Sequence, residues 1–189
     1  MNLNEIIKKR RAVPPRFLST QNVSREIIGQ LLENANWAPT HKSTEPWRFK
    51  VFTGGARIKM ADEIFLFLQK QSNNGVEVNL QKVEKLRENI KRVPVVITVI
   101  MNRDEAKRIP EWEEIAAVSM AVQNMWLSAT AMDLGAFFST SDFIPLLGEI
   151  FSLNANQHVL GFFFVGHVAM EYPSPGRGNI EEKVEWYEE

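Results

Sequence analysis

The sequence predicts one α+β domain over residues 1–189, ending in an extended C-terminal arm. Three observations predict it. Segments with helical apolar spacing alternate with short strand-like runs. The run Val95-Val96-Ile97-Thr98-Val99-Ile100 is apolar on both faces, as a central strand must be when both faces are covered. The stretch from Ile115 to Leu134 reads as a long helix buried on nearly all sides.

Bulk properties narrow the function. A chain of 189 residues can bury a substantial core, and 44% hydrophobic with 24% charged residues marks a globular rather than a disordered chain. A net charge of −1 gives no electrostatic ground for a nucleic acid or an anionic membrane as partner. Without cysteine there is no disulfide framework, Cys nucleophile or thiolate metal site, which suits a reducing cytoplasm. The amphipathic N-terminus carries Lys8 and lacks the apolar core of a signal peptide. Ser119, Gln123, Asn124, Ser128 and Asp133 make the longest apolar stretch too polar to span a membrane. A helix buried all round needs a second layer of protein over each face. In a chain of this size a second copy is the expected source, so a homodimer is predicted.

The elements follow in order. Leu3, Ile6 and Ile7 keep helical spacing, with Asn2 and Glu5 placed as a capping box. Pro14-Pro15 stop the chain after Lys8-Lys9-Arg10-Arg11. Ser24 caps a second helix with the stripe Ile27, Ile28, Leu31, Leu32 and Ala35, running to Trp37. Arg48 to Thr53 alternates as a strand that Gly54-Gly55 closes, and Arg57 to about Gln71 forms a helix. After the turn at Asn73-Asn74-Gly75, residues 76–92 read as a surface helix or a mobile segment. Pro94 opens the central strand, Pro110 starts the long helix and Gly135 ends it. Ala136 to Ser139 is a short strand, Phe143 to Phe151 a short helix, and His158 to Val168 a buried strand interrupted by Gly161 and Gly166. The tail from Glu171 is rich in Pro and Gly, then acidic from Ile180 to Glu189.

The segment Ala38-Pro-Thr-His-Lys-Ser-Thr-Glu-Pro-Trp47 carries the most chemistry. Two prolines bracket a polar loop between a helix end and a strand start, where backbone N–H groups, His41 and hydroxyls can face one ligand. The same loop also reads as a capped connector with a surface imidazole. Arg10 and Arg11 have an ordinary role as cations at a helix C-terminus. A guanidinium fork also suits a phosphate, through two charge-assisted hydrogen bonds. Other chemistries lack their signatures. His41, His158 and His167 have no metal-ligand spacing, and there is no nucleophile elbow, P-loop or dinucleotide fingerprint. Glu111, Glu113 and Glu114 read as charges favouring the N-terminal dipole of the long helix.

With its basic pair, the Pro-bracketed loop and Pro46-Trp47, the chain resembles the nitroreductase family of FMN-dependent oxidoreductases, and most of all its small, minimal members. The likeness runs in order over almost the whole chain. It implies a central, mainly antiparallel sheet flanked by helices, a dimer joined through the long helices, FMN at the subunit interface, and a C-terminal arm packed on the partner. Arg10, Arg11 and Ala12 match the family's Arg-Arg-Ser, with the hydroxyl missing at Ala12. His41 would lie against the flavin with Ser43 or Thr44 beside it. Glu45 replaces the usual Gln and would need Lys42 or Arg48 to offset its charge. Phe138, Ser139 and Thr140 are the counterparts of contacts beneath the flavin ring, without the arginine that small members carry. Arg177 would close a clamp on the phosphate with Arg10.

The implied reaction is ping-pong transfer from NAD(P)H through FMN to an electron-poor small molecule such as a nitroaromatic or quinone. No side chain need act as nucleophile or general acid. The alternatives are an FMN-binding protein with little turnover, a related flavin reaction such as dehalogenation or flavin breakdown, and a cofactor-free dimeric scaffold.

Overall fold

In the computed structural model, which describes residues 1–188 and so leaves Glu189 of the acidic tail outside, the local signals produce the first elements directly. Asn2 and Glu5 close their capping box on helix α1 (Leu3–Lys9). The Ser24 side chain accepts the Ile27 N–H at the start of α2 (Arg25–Asn36). Strand β1 (Trp47–Thr53) leads into α3 (Gly54–Asn73) and α4 (Leu80–Arg92). Strand β2 (Val95–Asn102), α5 (Glu111–Ala131), β3 (Leu134–Ser139) and β4 (Gln157–His167) complete the order.

The four strands form one antiparallel sheet in the order β1-β2-β4-β3. Its centre is the apolar run of β2, where Ile97 faces Val51 on one side and Phe163 on the other. α2 and α5 cover one face through Leu31, Ala121, Met125 and Phe163. α3 and α4 cover the other through Ile64, Leu68, Ile90, Phe162 and Phe164. Both faces of β2 and β4 are therefore dry, which is why neither strand shows a polar alternation. The fold is α+β, as the sequence predicts.

Three expectations need correction, at α3, at residues 143–151 and at Gly135, and of the two readings of residues 76–92 the helix holds. α3 begins at Gly54, so Gly54-Gly55 form its first turn rather than a strand stop. First-turn N–H groups have no intrahelical acceptor, and glycine's low propensity costs least there. Residues 80–92 are an ordered helix that buries Val83, Leu86 and Ile90 and is tied to α3 by Arg87 and Lys91 on Asp62, at 2.7 and 2.6 Å. Its charged faces mask that stripe in the sequence. The segment expected as a helix from Phe143 to Phe151 is a 3-10 turn over Ile144–Gly148.

α5 ends at Ala131, and the left-handed residue after it is Asp133 (φ 54°), not Gly135. Gly135 lies inside β3 for a packing reason: a Cβ there would sit 2.6 Å from Leu18 Cδ2. Within one copy of the chain α5 is covered along one side, the other being the face for which a second copy is expected. Ala117, Ala121, Met125 and Ala129 pack inward, while Trp112, Ile115 and Met120 are exposed on the opposite side.

Gly161 positions β3. A Cβ on it would lie 2.6 Å from the Ser139 carbonyl oxygen and 2.7 Å from the Phe138 ring. Gly161→Ala is expected to cost about 1–3 kcal/mol, the usual range for overpacking a filled site. A lowered urea midpoint at unchanged m-value would register it; an unchanged midpoint would mean that β3 yields freely.

Candidate functional site

The stretch after α1 runs beside β3 as a short extra edge. Ala12 bridges Ala136 in parallel, and the Val13 N–H donates to the Ala136 carbonyl at 2.8 Å. The indole Nε1–H of Trp126 on α5 donates to the Arg11 carbonyl at 3.0 Å. These bonds fix the backbone that carries Arg10 and Arg11. The Arg10 guanidinium lies over the Trp126 ring, 5.1 Å from its centroid. Partial burial, then the nearby charges of Arg177 and Arg11, lower the Arg10 pKa. Three cations thus gather at one end of β3, and among the described residues none of them pairs with a carboxylate. The Nε atoms of Arg10 and Arg11 are buried without a hydrogen-bond partner. Unpaired buried donors beside uncompensated positive charge are complementary to an anion.

At the other end of β3, Phe137, Ser139 and Ser141 line a cavity of about 470 Å³. Pro15, Arg16 and the polar face of α4 (Lys82, Lys85, Asn89) form its other walls. Phe137 stacks on Phe164 with centroids 6.5 Å apart, so its ring is both core and cavity wall. Phe138 packs on the opposite face of the sheet, against the α2/α5 cluster. Ser139 is half-buried and Thr140 exposed. Arg10 and Ser139 therefore flank the two ends of one strand, roughly 13–16 Å apart at the rise of a β-strand.

The loop between α2 and β1 is a single 3-10 turn over His41–Ser43. Lys42, Ser43 and Glu45 all adopt positive φ (50, 51 and 41°), which costs a non-glycine residue about 1–2 kcal/mol each. The loop is held by its neighbours. The Glu45 N–H donates to Thr40 Oγ1 at 3.1 Å, Lys42 Nζ to the Arg108 carbonyl at 3.3 Å, and the Trp47 indole to Asn36 at 3.0 Å. Three left-handed side chains in one bracketed loop are strain of the kind that accumulates at ligand sites. The expected neutralisation of Glu45 does not occur. Arg48 donates to the backbone carbonyls of Glu45 and Trp47 and Lys42 to that of Arg108, so neither cation meets the exposed Glu45 carboxylate.

Two of the three carboxylates that open α5, Glu113 and Glu114, are more than dipole charges. His41 Nδ1 meets Glu113 Oε2 at 2.6 Å. Glu114 is fully buried, pairs with Arg103 and accepts the Asp104 N–H at 2.8 Å. Arg108 holds Asp104 through its side chain at 2.9 and 3.0 Å and its N–H at 3.0 Å, and keeps that carboxyl at about 2. Because the folded value is depressed, this pair supports the fold above the unfolded pKa near 4 and loses that support as pH falls toward 2. Asp104→Asn is therefore expected to be less stable than the parent at pH 7 and equal to it near pH 2. Parallel stability-versus-pH curves for the two would contradict this.

One copy of the chain brings together Arg10, Arg11, Ala12 and Arg177, with Phe138, Ser139 and Thr140 farther along the same edge. It does not bring His41 and Ser43 to them. His41 sits at Glu113 near the start of α5 and Arg10 at Trp126 toward its end, roughly 20 Å along the helix. Sequence reasoning missed Arg16, Lys85, Asn89, Glu113 and Trp126. One signal was available: Lys82, Lys85, Asn89 and Arg92 recur at spacing that lines one helix face, flanking the stripe Val83, Leu86 and Ile90.

Comparison with known proteins agrees with this architecture. Residues 7–167 match the model of the Nitroreductase family. The Escherichia coli K12 protein named Putative NAD(P)H nitroreductase YdjA is 27% identical over 143 residues, 75% of each chain. The nitroreductase-like family protein from Bacillus cereus superposes with a TM-score of 0.83 at 27% identity, covering 100% of this chain and 97% of its own. A putative nitroreductase from Desulfovibrio desulfuricans, solved in complex with FMN, shares the fold with a TM-score of 0.75 at 23% identity, covering 98% of both chains. With a family match across most of its length and the antiparallel sheet in place, this chain belongs to the nitroreductase family.

Proposed function

We propose that the protein is an FMN-dependent oxidoreductase that passes electrons from NAD(P)H to an electron-poor acceptor such as a nitroaromatic or a quinone, and that it works as a homodimer. The observation that carries this is the uncompensated trio Arg10, Arg11 and Arg177, with two buried guanidinium Nε atoms unpartnered, at one end of a strand whose other end opens on a cavity. The donor set fits FMN, which has a dianionic phosphate at one end and a flat, polar-edged ring at the other. The name of YdjA and the FMN complex of the Desulfovibrio relative favour the same assignment.

When bound, the flavin supplies the two-electron chemistry. The chain's own residues bind and orient. Arg10 and Arg177 clamp the phosphate with charge-assisted hydrogen bonds. The N–H of Ala12 stands in for the absent hydroxyl. Ser139 would face the ring from the cavity with Thr140 beside it, Phe138 would back them from the opposite face of the sheet, and Arg16, Lys85 and Asn89 would offer donors from the cavity wall. His41 and Ser43 would reach the ring from a second copy, since their own copy holds them roughly 20 Å along α5 from Arg10. Several exposed features suit such a dimer: the Trp112, Ile115 and Met120 stripe of α5, and Val184, Trp186 and Tyr187 on the arm. The arm would pack on the partner, and a groove of about 850 Å³ beside the free edge of β1 is one place that would receive apolar side chains.

Steady-state turnover of the FMN-loaded protein tests the reaction. Parallel double-reciprocal lines are expected when NADH or NADPH is varied at several concentrations of a nitroaromatic or quinone, as a ping-pong order requires. A protein that holds FMN but oxidises neither nucleotide would instead be a flavin binder.

A further inference from the structure

We propose that Glu113 is a positioning residue that sets the tautomer of His41 and aims its Nε2 at the flavin edge. This rests on the flavin assignment above. The motivating contact joins two segments far apart in sequence, His41 Nδ1 to Glu113 Oε2 at 2.6 Å. An ionised carboxylate only accepts, so Nδ1 carries the proton and Nε2 is left to the outer, exposed side of the loop.

Glu113 is itself held in place. It lies in the first turn of α5, whose next residue, the buried Glu114, is locked by the partly buried Arg103 and by the Asp104 N–H. Arg103 also donates to the Ile109 carbonyl at 2.9 Å, and Arg108 grips Asp104. The loop between β2 and α5 is thereby fixed at both ends, and its Arg108 carbonyl accepts Lys42 Nζ. His41 and Lys42 are thus docked side by side on one rigid surface. A strained loop whose histidine is oriented by a second group has the form of a preorganised ligand contact.

The chain has three histidines, so their imidazole nitrogens can be followed by long-range ¹H–¹⁵N NMR and His41 assigned with a His41→Ala variant. In the parent at alkaline pH, His41 is expected as the Nδ1–H tautomer. Glu113→Ala should shift it toward the Nε2–H form that free histidine prefers and weaken FMN binding about fivefold, the scale of one neutral hydrogen bond. Glu113→Gln, whose side-chain oxygen also accepts, should restore both. An unchanged tautomer in Glu113→Ala would overturn the proposal. So would a loss of FMN affinity that Glu113→Gln fails to rescue, since Glu113 would then matter through its charge or through packing. A parent protein that binds no FMN would overturn the flavin assignment itself, whatever the tautomer.

Discussion

Arg10→Ala is expected to weaken FMN binding by about 1.5–3 kcal/mol, or roughly 10- to 150-fold in Kd, the scale for losing a hydrogen bond to a charged group. The expectation is specific because of where Arg10 stands. Its guanidinium is partly desolvated, faces two further cations and leaves Nε unpartnered, so little among the described residues rewards its position. Its one favourable contact is the Trp126 ring, which contributes on the order of 0.5–1 kcal/mol at a half-open site. Removing Arg10 should therefore change stability little while removing much of the anion affinity. Arg10→Lys should fall between the two, since an ammonium keeps the charge but loses the planar fork and the stacking. Flavin fluorescence titration at fixed ionic strength measures the effect. An unchanged Kd would remove Arg10 from the site.

Glu114→Ala is expected to cost about 3–5 kcal/mol of stability, because it leaves the largely desolvated Arg103 guanidinium without its carboxylate. The Asp104 N–H loses its acceptor as well. Urea denaturation would show a large drop in midpoint. The loss should extend to the site, because the same loop supplies the acceptor for Lys42 and leads into Glu113. Replacing both partners, as Arg103→Met with Glu114→Leu, should recover most of the stability, since an apolar pair of similar volume carries no unpaired charge. A Glu114→Ala variant within about 0.5 kcal/mol of the parent would show that this pair does not anchor the loop.

Signals that act over a few residues were legible in the sequence. The Asn2–Glu5 box, the Ser24 cap and the doubly buried strand at residues 95–100 each depend on chemistry within one turn or one strand. The Pro-bracketed loop was legible as a site for the same reason. What was hidden depends on partners distant in the chain. Three carboxylates at a helix start have a sufficient local explanation, so nothing local points Glu113 at His41 or Glu114 at Arg103. Gly135 looked like a helix stop because a local rule covers it, while its true constraint is Leu18 on another segment. The apolar α5 reads as buried on nearly all sides, and one copy of the chain covers one of them. Likewise the loop and the basic pair look like parts of one site in sequence, and only the fold puts α5 between them.

That separation supplies the most direct test of a flavin site shared between two copies. An Arg10→Ala chain mixed with a His41→Ala/Ser43→Ala chain forms hybrid dimers in which one site carries both defects and the other carries neither. If each site takes Arg10 from one copy and the loop from its partner, random mixing should restore parental FMN affinity at about a quarter of all sites. If the mixture titrates as the average of its two parents, with no high-affinity fraction, the site does not draw on a second copy.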